Sequence, residues 1–328
     1  MKALQITRPG HIEIIDAPVP EPASDQVLIR VLAVTTCPHW DMHIFNGVPM
    51  FPGFELTYPY TLGQPGHEAC GEIAAVGSAV TDLRAGQRVC MWRDQGHHRP
   101  GCYAEFVVAD AANVIVVPEA LAPEACASLE LAMCVSAHVM YAERLDAIAG
   151  KRVGVFGLGP AGLVCVQLAR AAGAEEIIGF DPLPDRRTLA ETLGADKAFD
   201  SASAEATGFS WRGAPGALHT AFDCVGKPDV VHHAMDVTSH LVVLFAVQRE
   251  PYVFSPHHWA GLTVAGTQPH TRQAAEYALA RLKTGSLDLR CLVTHTMSLS
   301  EYPRAVELLT KGQALKVAFV VNFGTCRD

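Results

Sequence analysis

The stretch "VGVFGLGPAGLVCV", residues 153–166, decides the fold of this chain. A short apolar run leads into glycines at G-x-G-x-x-G spacing and then into a helical apolar pattern. The first glycine permits a tight turn, the second lets the backbone approach a pyrophosphate, and the third lets helix and strand pack closely. The helix N-terminus adds N–H donors and a positive dipole end. The residues predicted to lie against a dinucleotide are Gly157, Gly159, Pro160, Ala161 and Gly162.

The following strand supports this prediction. "EEIIGFD" ends at Asp181, 19 positions after Gly162. An acidic side chain there can accept hydrogen bonds from the adenosine ribose hydroxyls, and it would repel a ribose 2′-phosphate. NAD is therefore favoured. Arg186 and Arg187 keep NADP open as the less favoured cofactor, because a nearby arginine can accommodate a 2′-phosphate.

Two sequence patterns divide the chain. Up to about residue 127, short β-rich runs are cut by glycine and proline, which predicts an antiparallel, barrel-like domain. Beyond residue 150, near-continuous apolar strands alternate with helices, which is typical of a parallel sheet covered on both faces. The last strand, "LKVAFVV" (315–321), is predicted to return to the first domain. The fold class is α/β.

The composition indicates which classes of binding partner to expect. The chain has 328 residues, 49% of them hydrophobic, and a formal net charge of -9. Because there is no Lys/Arg run, neither a nucleic acid nor a membrane surface is expected, and the partner should be a small molecule. The N-terminus carries no apolar stretch of signal-peptide length, so a cytoplasmic protein is expected. The ten cysteines form no C-x-x-C pair and should be reduced thiols.

Two further stretches carry metal-binding side chains. "TTCPHWDMH" (35–43) contains Cys37, and "QPGHEACGEIAAVG" (64–77) contains His67. A catalytic zinc uses three protein ligands and keeps one open position. Cys37 and His67 are candidates for two of them, and Cys134 and Glu130 both remain candidates for the third. Taken singly, a buried cysteine or histidine is more often a packing residue than a ligand.

These motifs together resemble the zinc-dependent branch of the medium-chain dehydrogenase/reductase superfamily, the alcohol and polyol dehydrogenases. The resemblance runs almost from end to end. It rests, in order, on Cys37-x-x-x-Asp41-x-His43, Gly66-His67-Glu68, "RAGQRV" (84–89), "CYAEFVV" (102–108), "VFGLGPAG" (155–162), Asp181, "FDCVG" (222–226) and "LKVAFVV" (315–321).

The resemblance implies a GroES-like catalytic domain, formed by both chain ends, around an inserted Rossmann domain. We expect residues 1–132 and 269–328 to form the first and residues 133–268 the second. The implied activity is reversible hydride transfer between an alcohol, such as a secondary alcohol or polyol, and NAD. A homodimer or homotetramer is implied by analogy, with "LTVAGT" (262–267) resembling the pairing edge strand.

The resemblance also implies roles for single residues. Cys37, His67 and Cys134 would hold one catalytic zinc per chain, with Cys134 preferred over Glu130 for its sequence distance from the glycine loop. Glu68 would approach the zinc transiently, and Asp41 would orient the ligand histidine.

His43 would pass the alcohol proton to water, and Lys316 would contact the cofactor pyrophosphate. Further residues expected to border the cofactor are Cys224, Val225 and Ala246.

The sequence departs from the family twice. One extra residue separates Cys37 from Asp41, and Trp40 stands where relatives carry a hydroxyl, so the proton relay is assigned to His43 or His39. The loop at 90–102 is too short for the lobe that holds a structural zinc in many relatives, so no structural zinc is expected. A different tetrahedral site is disfavoured because adjacent histidines seldom bind one ion; its members would be Cys90, His97, His98 and Cys102.

Two other functions remain open. A zinc-free reductase of the quinone or enoyl type shares both domains but lacks the ligand set. A non-catalytic nucleotide-binding redox sensor would fit the irregular spacing of Cys37 and Asp41.

Overall fold

A computed structural model describes residues 1–51, 53–203, 206 and 209–321. The chain divides into two compact units. Of the described residues, the barrel unit comprises 1–131 and 289–321, and the Rossmann unit comprises those between 132 and 288.

The barrel unit is built on a seven-stranded sheet and a separate hairpin. The hairpin pairs β1 (Lys2–Arg8) with β2 (His11–Asp16). The sheet strands are β3 (Gln26–Thr35), β4 (Glu68–Val76), β5 (Arg88–Met91), β6 (Phe106–Asp110), β7 (Val114–Val116), β14 (Val293–Met297) and β15 (Lys316–Val320). Their order is β14-β15-β3-β4-β5-β7, with β6 also paired to β3.

The centre of this sheet is β3, which is apolar over nearly its whole length and pairs with three strands. One of these is β15, antiparallel with Ala318 opposite Thr35, so the predicted return of the last strand to the first domain is confirmed. The helices of the unit are α1 (Pro38–Asn46), α2 (Pro123–Cys126), the start of α3 (Leu129–Arg144), and α9 (Tyr302–Thr310).

The Rossmann unit contains a six-stranded, wholly parallel sheet in the order β10-β9-β8-β11-β12-β13. Its strands are β8 (Arg152–Phe156), β9 (Glu176–Phe180), β10 (Lys197–Phe199), β11 (Leu218–Asp223), β12 (Thr238–Leu244) and β13 (Thr263–Ala265). Its described helices after α3 are α4 (Pro160–Ala171), α5 (Pro184–Thr192), α6 (Pro228–Val237), α7 (Pro256–Trp259) and α8 (Arg272–Thr284). The central strands are buried on both faces, as their apolar runs predict.

The second domain boundary falls later than expected. The sequence places the return to the catalytic domain at residue 269, whereas the division lies at Leu289. Helix α8 is tied to the Rossmann unit by the Tyr277 hydroxyl, which donates to Glu143 at 3.1 Å. Gln167 and Asp288 exchange two hydrogen bonds just beyond α8. An amphipathic helix near a boundary does not reveal from its pattern alone which unit it packs against.

One described helical stretch, Pro123–Arg144, is long and apolar enough to cross a bilayer. Its most apolar window is 83% buried inside the structure, as in a core helix of a globular protein.

Candidate active site

Cys37 lies between the end of β3 and the start of α1, where it is the N-cap residue. Pro38 fits the first helical position because its missing N–H would have no helical partner there. The Asp41 carboxylate, one turn into the helix, accepts a hydrogen bond from the Cys37 backbone N–H at 2.7 Å. The four-residue spacing therefore fixes the backbone from which the Cys37 thiol projects.

Asp41 is fully buried, and the other oxygen of its carboxylate accepts from two phenols. Tyr103 donates at 2.7 Å and Tyr302 at 2.8 Å. Burial raises the pKa of Asp41 to about 6, against the lowering effect of the two phenol hydrogen bonds. The structure thus gives Asp41 a different task from the predicted one: it holds Cys37, not the histidine.

His67 immediately precedes β4 and is buried. Its Nδ1 donates to the Pro65 carbonyl at 2.8 Å, which is the orienting bond expected from Asp41. That bond leaves Nε2 as the atom with a lone pair for a metal. Gly66 is required beside it, because a Cβ there would lie 2.8 Å from the Tyr103 ring and backbone.

Glu68 is the first residue of β4, directly opposite Thr35 of β3. Its two oxygens accept from the Lys316 ammonium at 2.5 and 2.6 Å. The same ammonium donates to the Thr36 carbonyl at 2.7 Å, and both members of the ion pair are buried. In the described structure Lys316 therefore forms an ion pair with Glu68, whereas the resemblance implies that it contacts the cofactor pyrophosphate.

The donor set suits a zinc ion. The ligand atoms of Cys37, His67 and Glu68 lie within 4.8 Å of one another, and Glu130 approaches His67 Nε2 to 3.9 Å. Burial lowers the pKa of His67, but the Cys37 hydrogen bond and the negative charge of Glu130 raise it to a net value well above normal. The site therefore favours a positive charge. Thiolate, imidazole and carboxylate are also the ligands that zinc prefers.

The two candidates for a third ligand fall in different units. Glu130, in the first turn of α3, belongs to the barrel unit together with Cys37 and His67. Cys134, one helical turn later, belongs to the Rossmann unit, where its thiol lies 3.4 Å from His270 Nε2.

The two candidate relay histidines lie one turn apart on α1. His43 is half-buried, and its Nδ1 donates to the carbonyls of Val48 and Pro49 at 3.1 and 3.2 Å. His39 is exposed, with its ring centroid 6.5 Å from that of His43. Trp40 faces a third imidazole, that of His97, at 3.9 Å between ring centroids.

The loop at 90–102 does not gather its four metal-binding side chains. The Cys90 thiol donates to the Cys126 carbonyl, and the Cys102 thiol donates to the sulfur of Met91. His97 lies near His67 and Asp94, and burial lowers its pKa to about 4. The position of His97 beside His67 was missed from the sequence.

The glycine loop has the geometry that its sequence requires. Gly157 adopts a φ of +86°, a conformation that favours glycine. A Cβ at Gly162 would lie 1.9 Å from the Gly157 carbonyl oxygen, so the third glycine allows α4 to pack against the turn. At Gly159 a Cβ would approach no atom more closely than Arg186 Nη1, at 3.8 Å. Pro160 and Ala161 begin α4 directly after it.

Asp181 lies beside the same loop, at the end of β9. Its carboxylate accepts from the backbone N–H of Leu158 at 2.8 Å and of Leu183 at 2.9 Å. Arg186 Nη1 lies 3.8 Å from it. Arg187 donates instead to the carbonyls of Asp181 and Pro182.

A second loop follows β11 and contains the other predicted cofactor residues. The Val225 side chain packs against Gly157, and the Cys224 N–H donates to Phe156 at 2.8 Å. Ala246 donates its N–H to the Asp223 carbonyl. The Asp223 carboxylate accepts from the backbone N–H groups of Val225 and Gly226 and so fixes this loop. Burial raises its pKa.

Sequence reasoning missed Asp223, Tyr103 and Tyr302 as supporting residues. Asp223 and Tyr103 stand inside motifs that carry the family resemblance, but the motifs do not indicate what their side chains bind. Tyr302 reaches Asp41 across 261 positions of sequence, and no local pattern indicates such a contact.

Two family models match the chain, one in each unit. "Alcohol dehydrogenase GroES-like domain" matches residues 23–119, and "Zinc-binding dehydrogenase" matches residues 160–282. The chain is similar to L-threonine 3-dehydrogenase of Bacillus licheniformis, at 28% identity over 98% of this chain and 99% of the relative. The corresponding enzyme of Legionella pneumophila (strain Corby) is 26% identical over 92% of this chain and 94% of the relative.

Among solved structures, a protein from Sinorhizobium meliloti 1021 described as a zinc-binding dehydrogenase and bound to NADP superposes with a TM-score of 0.81. It is 25% identical, and the match covers 97% of this chain and 98% of that one.

A GroES-like unit with a cysteine–histidine centre, joined to a Rossmann unit, defines a nucleotide-dependent oxidoreductase. The chain belongs to the zinc-dependent branch of the medium-chain dehydrogenase/reductase superfamily, the alcohol and polyol dehydrogenases. It is a zinc- and nicotinamide-dependent enzyme with small-molecule substrates.

Proposed function

We propose that this enzyme oxidises the hydroxyl of a secondary alcohol or polyol with NAD, using one zinc ion held by Cys37, His67 and Glu130. The observation that carries the proposal is a cluster in the barrel unit in which the ligand atoms of Cys37, His67 and Glu68 lie within 4.8 Å of one another, with the Glu130 carboxylate 3.9 Å from His67 Nε2. The L-threonine 3-dehydrogenases to which the chain is similar act, by their name, on a secondary hydroxyl.

We favour Glu130 over Cys134 as the third ligand. Two carboxylates approach the cluster, but Lys316 neutralises Glu68 through a buried ion pair. Glu130 contributes its charge at 3.9 Å from His67 Nε2 and belongs to the same unit as Cys37. Cys37 and Glu130 would then balance both charges of a divalent cation, and His67 would add a neutral ligand. Cys134 is the alternative.

A zinc ion held by Cys37, His67 and Glu130 would supply Lewis acidity, which lowers the pKa of an alcohol hydroxyl and polarises a carbonyl. The residues of the chain supply the rest of the chemistry. Asp41 keeps the Cys37 backbone fixed, and the Pro65 carbonyl keeps His67 in the tautomer whose Nε2 faces the cluster. Such bonds fix the ligand directions before substrate arrives.

We propose His43 as the residue that passes the substrate proton to water. Its ring is held through Nδ1 by two backbone carbonyls, and it is half-buried in the last turn of α1, the helix whose N-cap is Cys37. His39, one turn earlier and exposed, is the alternative relay.

NAD is the proposed acceptor. The Asp181 carboxylate stands at the glycine loop, where an acidic group accepts from ribose hydroxyls and opposes a 2′-phosphate. Arg187 is directed to the backbone carbonyls of Asp181 and Pro182, which leaves Arg186 as the arginine closest to the Asp181 carboxylate. NADP is the less favoured cofactor.

We also propose a homo-oligomer that pairs through β13. This strand is the edge of the Rossmann sheet. Exposed apolar side chains precede it in sequence, with Val253, Phe254 and Trp259 between 46% and 81% exposed. A monomer in sedimentation equilibrium at micromolar concentration would contradict this assignment.

The test of function combines metal analysis with a substrate panel. Enzyme purified without added zinc should contain about one equivalent per chain. It should form NADH with at least one member of a panel of secondary alcohols, polyols and hydroxyamino acids, and treatment with a chelator should abolish this activity. Metal-free protein that reduces quinones with NAD(P)H would overturn the proposal.

A further inference from the structure

Three cysteine thiols meet in the barrel unit without belonging to the proposed zinc site. Cys70 lies on β4, Cys90 lies on β5 and Cys126 ends α2. Their sulfur atoms are within 4.8 Å of one another, and none of the three residues is exposed. Cys70 and Cys90 stand opposite each other in the β4–β5 register. We call this group the trithiol cluster.

The spacing of the trithiol cluster suits a metal ion with three sulfur ligands. A metal–sulfur bond of about 2.3 Å in a trigonal plane separates the sulfurs by about 4 Å. The cluster offers no imidazole or carboxylate as a fourth donor within its described group. Zinc normally takes four protein ligands in a closed structural site, whereas monovalent copper is a soft ion that favours thiolates.

The charge around the cluster also favours bound thiolates. Arg88 lies two residues before Cys90 on β5, so the two side chains project from the same face of the sheet. The Arg88 Nε is buried without a hydrogen-bond partner among the described residues.

We propose that Cys70, Cys90 and Cys126 form a second metal site that binds one monovalent copper ion through three thiolates. Binding releases the protons of the thiols that still carry them, and no electron is transferred. Three thiolates and one monovalent ion leave a net negative charge, which the nearby Arg88 guanidinium offsets in part. Because two neighbouring strands and α2 each supply one ligand, the ion cross-links them.

The test uses the zinc-loaded enzyme under anaerobic, reducing conditions. Cu(I) is supplied as its coloured complex with bathocuproine disulfonate, both to the native enzyme and to enzyme refolded with Cu(I) and zinc. We expect one equivalent of copper per chain to move from the chelator to the protein in at least one preparation. A sulfur-to-copper charge-transfer band should appear, while the zinc content stays unchanged.

Matched variants locate the ion. Cys126→Ser and Cys126→Ala should each lose the copper equivalent and keep zinc and dehydrogenase activity. Cys165→Ser, which alters a buried thiol of the Rossmann unit, should keep the copper. The alanine variant is included because a buried serine hydroxyl can itself disturb folding.

Three results would overturn the proposal. They are failure of both wild-type preparations to take copper, retention of the equivalent by a folded Cys126 variant, and copper uptake matched by zinc release. The last result would locate the copper at Cys37 and His67. Because zinc content and activity are measured separately, failure of the copper site and failure of the proposed dehydrogenase function are distinguishable.

Discussion

Lys316 and Glu68 form an ion pair at 2.5 Å in which neither side chain reaches solvent. The pair joins β15, from the end of the chain, to β4, which begins directly after His67. Thr35 and Thr36 complete its hydrogen bonds. A buried pair of this kind holds Glu68 beside the proposed zinc cluster while cancelling its charge.

Replacing Lys316 by Met should destabilise the barrel unit strongly, because it leaves the Glu68 carboxylate buried without its cation. Breaking a buried pair from one side costs about 3–5 kcal/mol of the free energy of unfolding. Urea unfolding followed by fluorescence measures it. Lys311→Met is the matched control, since the Lys311–Glu307 pair is exposed, and it should have little effect. The double variant Lys316→Met/Glu68→Leu should recover part of the loss; equal losses in all three variants would contradict the assignment.

Glu130→Gln should release zinc, whereas Cys134→Ser should keep it. The first change removes a carboxylate that lies 3.9 Å from His67 Nε2. The second changes a thiol that contacts His270 in the Rossmann unit. Zinc per chain is measured by atomic emission after exhaustive dialysis, and NADH binding by fluorescence checks that each variant is folded. Loss of zinc in Cys134→Ser alone would return the third-ligand role to Cys134.

Asp41→Asn should weaken zinc binding through Cys37. The Asp41 carboxylate accepts hydrogen bonds from the Cys37 N–H and from two phenols. Loss of a group that supports a metal ligand typically lowers metal affinity about 10- to 100-fold. Competition with a zinc chelator gives the affinity. Glu72→Gln, at an exposed ion pair on the same sheet, serves as the control. An affinity equal to wild type would show that the helix alone fixes Cys37.

Much of the fold could be predicted because its signals are local. The turn at Gly157 and the close packing at Gly162 follow from the spacing of the glycines, and the alternation of apolar strands with helices indicates the parallel sheet. The return of the last strand was also predictable. In that strand, Lys316 stands within the apolar run "LKVAFVV", and a lysine inside a buried strand requires a partner of opposite charge.

The site was harder to predict because its contacts are distant in sequence or differ by one helical turn. Asp41 looked like the partner of His67, but its partners are Cys37, Tyr103 and Tyr302. Glu130 and Cys134 are one turn apart on α3, and their spacing cannot show that the chain passes from one unit to the other between them. Such choices depend on tertiary packing, which the periodicity of one helix does not encode.

Asp181→Asn should shift cofactor preference toward NADP. Asparagine keeps an oxygen that can accept from the Leu158 or Leu183 N–H but removes the charge that opposes a 2′-phosphate. We expect the ratio of kcat/KM for NADP to that for NAD to rise about tenfold, which corresponds to about 1.4 kcal/mol. Adding Arg186→Ala should reverse part of the gain, because Arg186 is the nearest cation to that carboxylate. An unchanged ratio would refute the ribose role of Asp181.

Alanine substitutions at two glycines of the same loop should differ in their effect on folding: one should destabilise the protein and the other should not. At Gly162 a Cβ would lie 1.9 Å from the Gly157 carbonyl oxygen, a backbone atom that cannot move aside without opening the turn, so Gly162→Ala should lower the thermal midpoint. At Gly159 the nearest atom would be the flexible end of Arg186, at 3.8 Å, so Gly159→Ala should unfold at the wild-type temperature. If a pyrophosphate approaches the backbone at Gly159, this stable variant should nevertheless bind NADH about tenfold or more weakly by fluorescence titration. Normal NADH affinity in Gly159→Ala would mean that the dinucleotide does not lie against this turn.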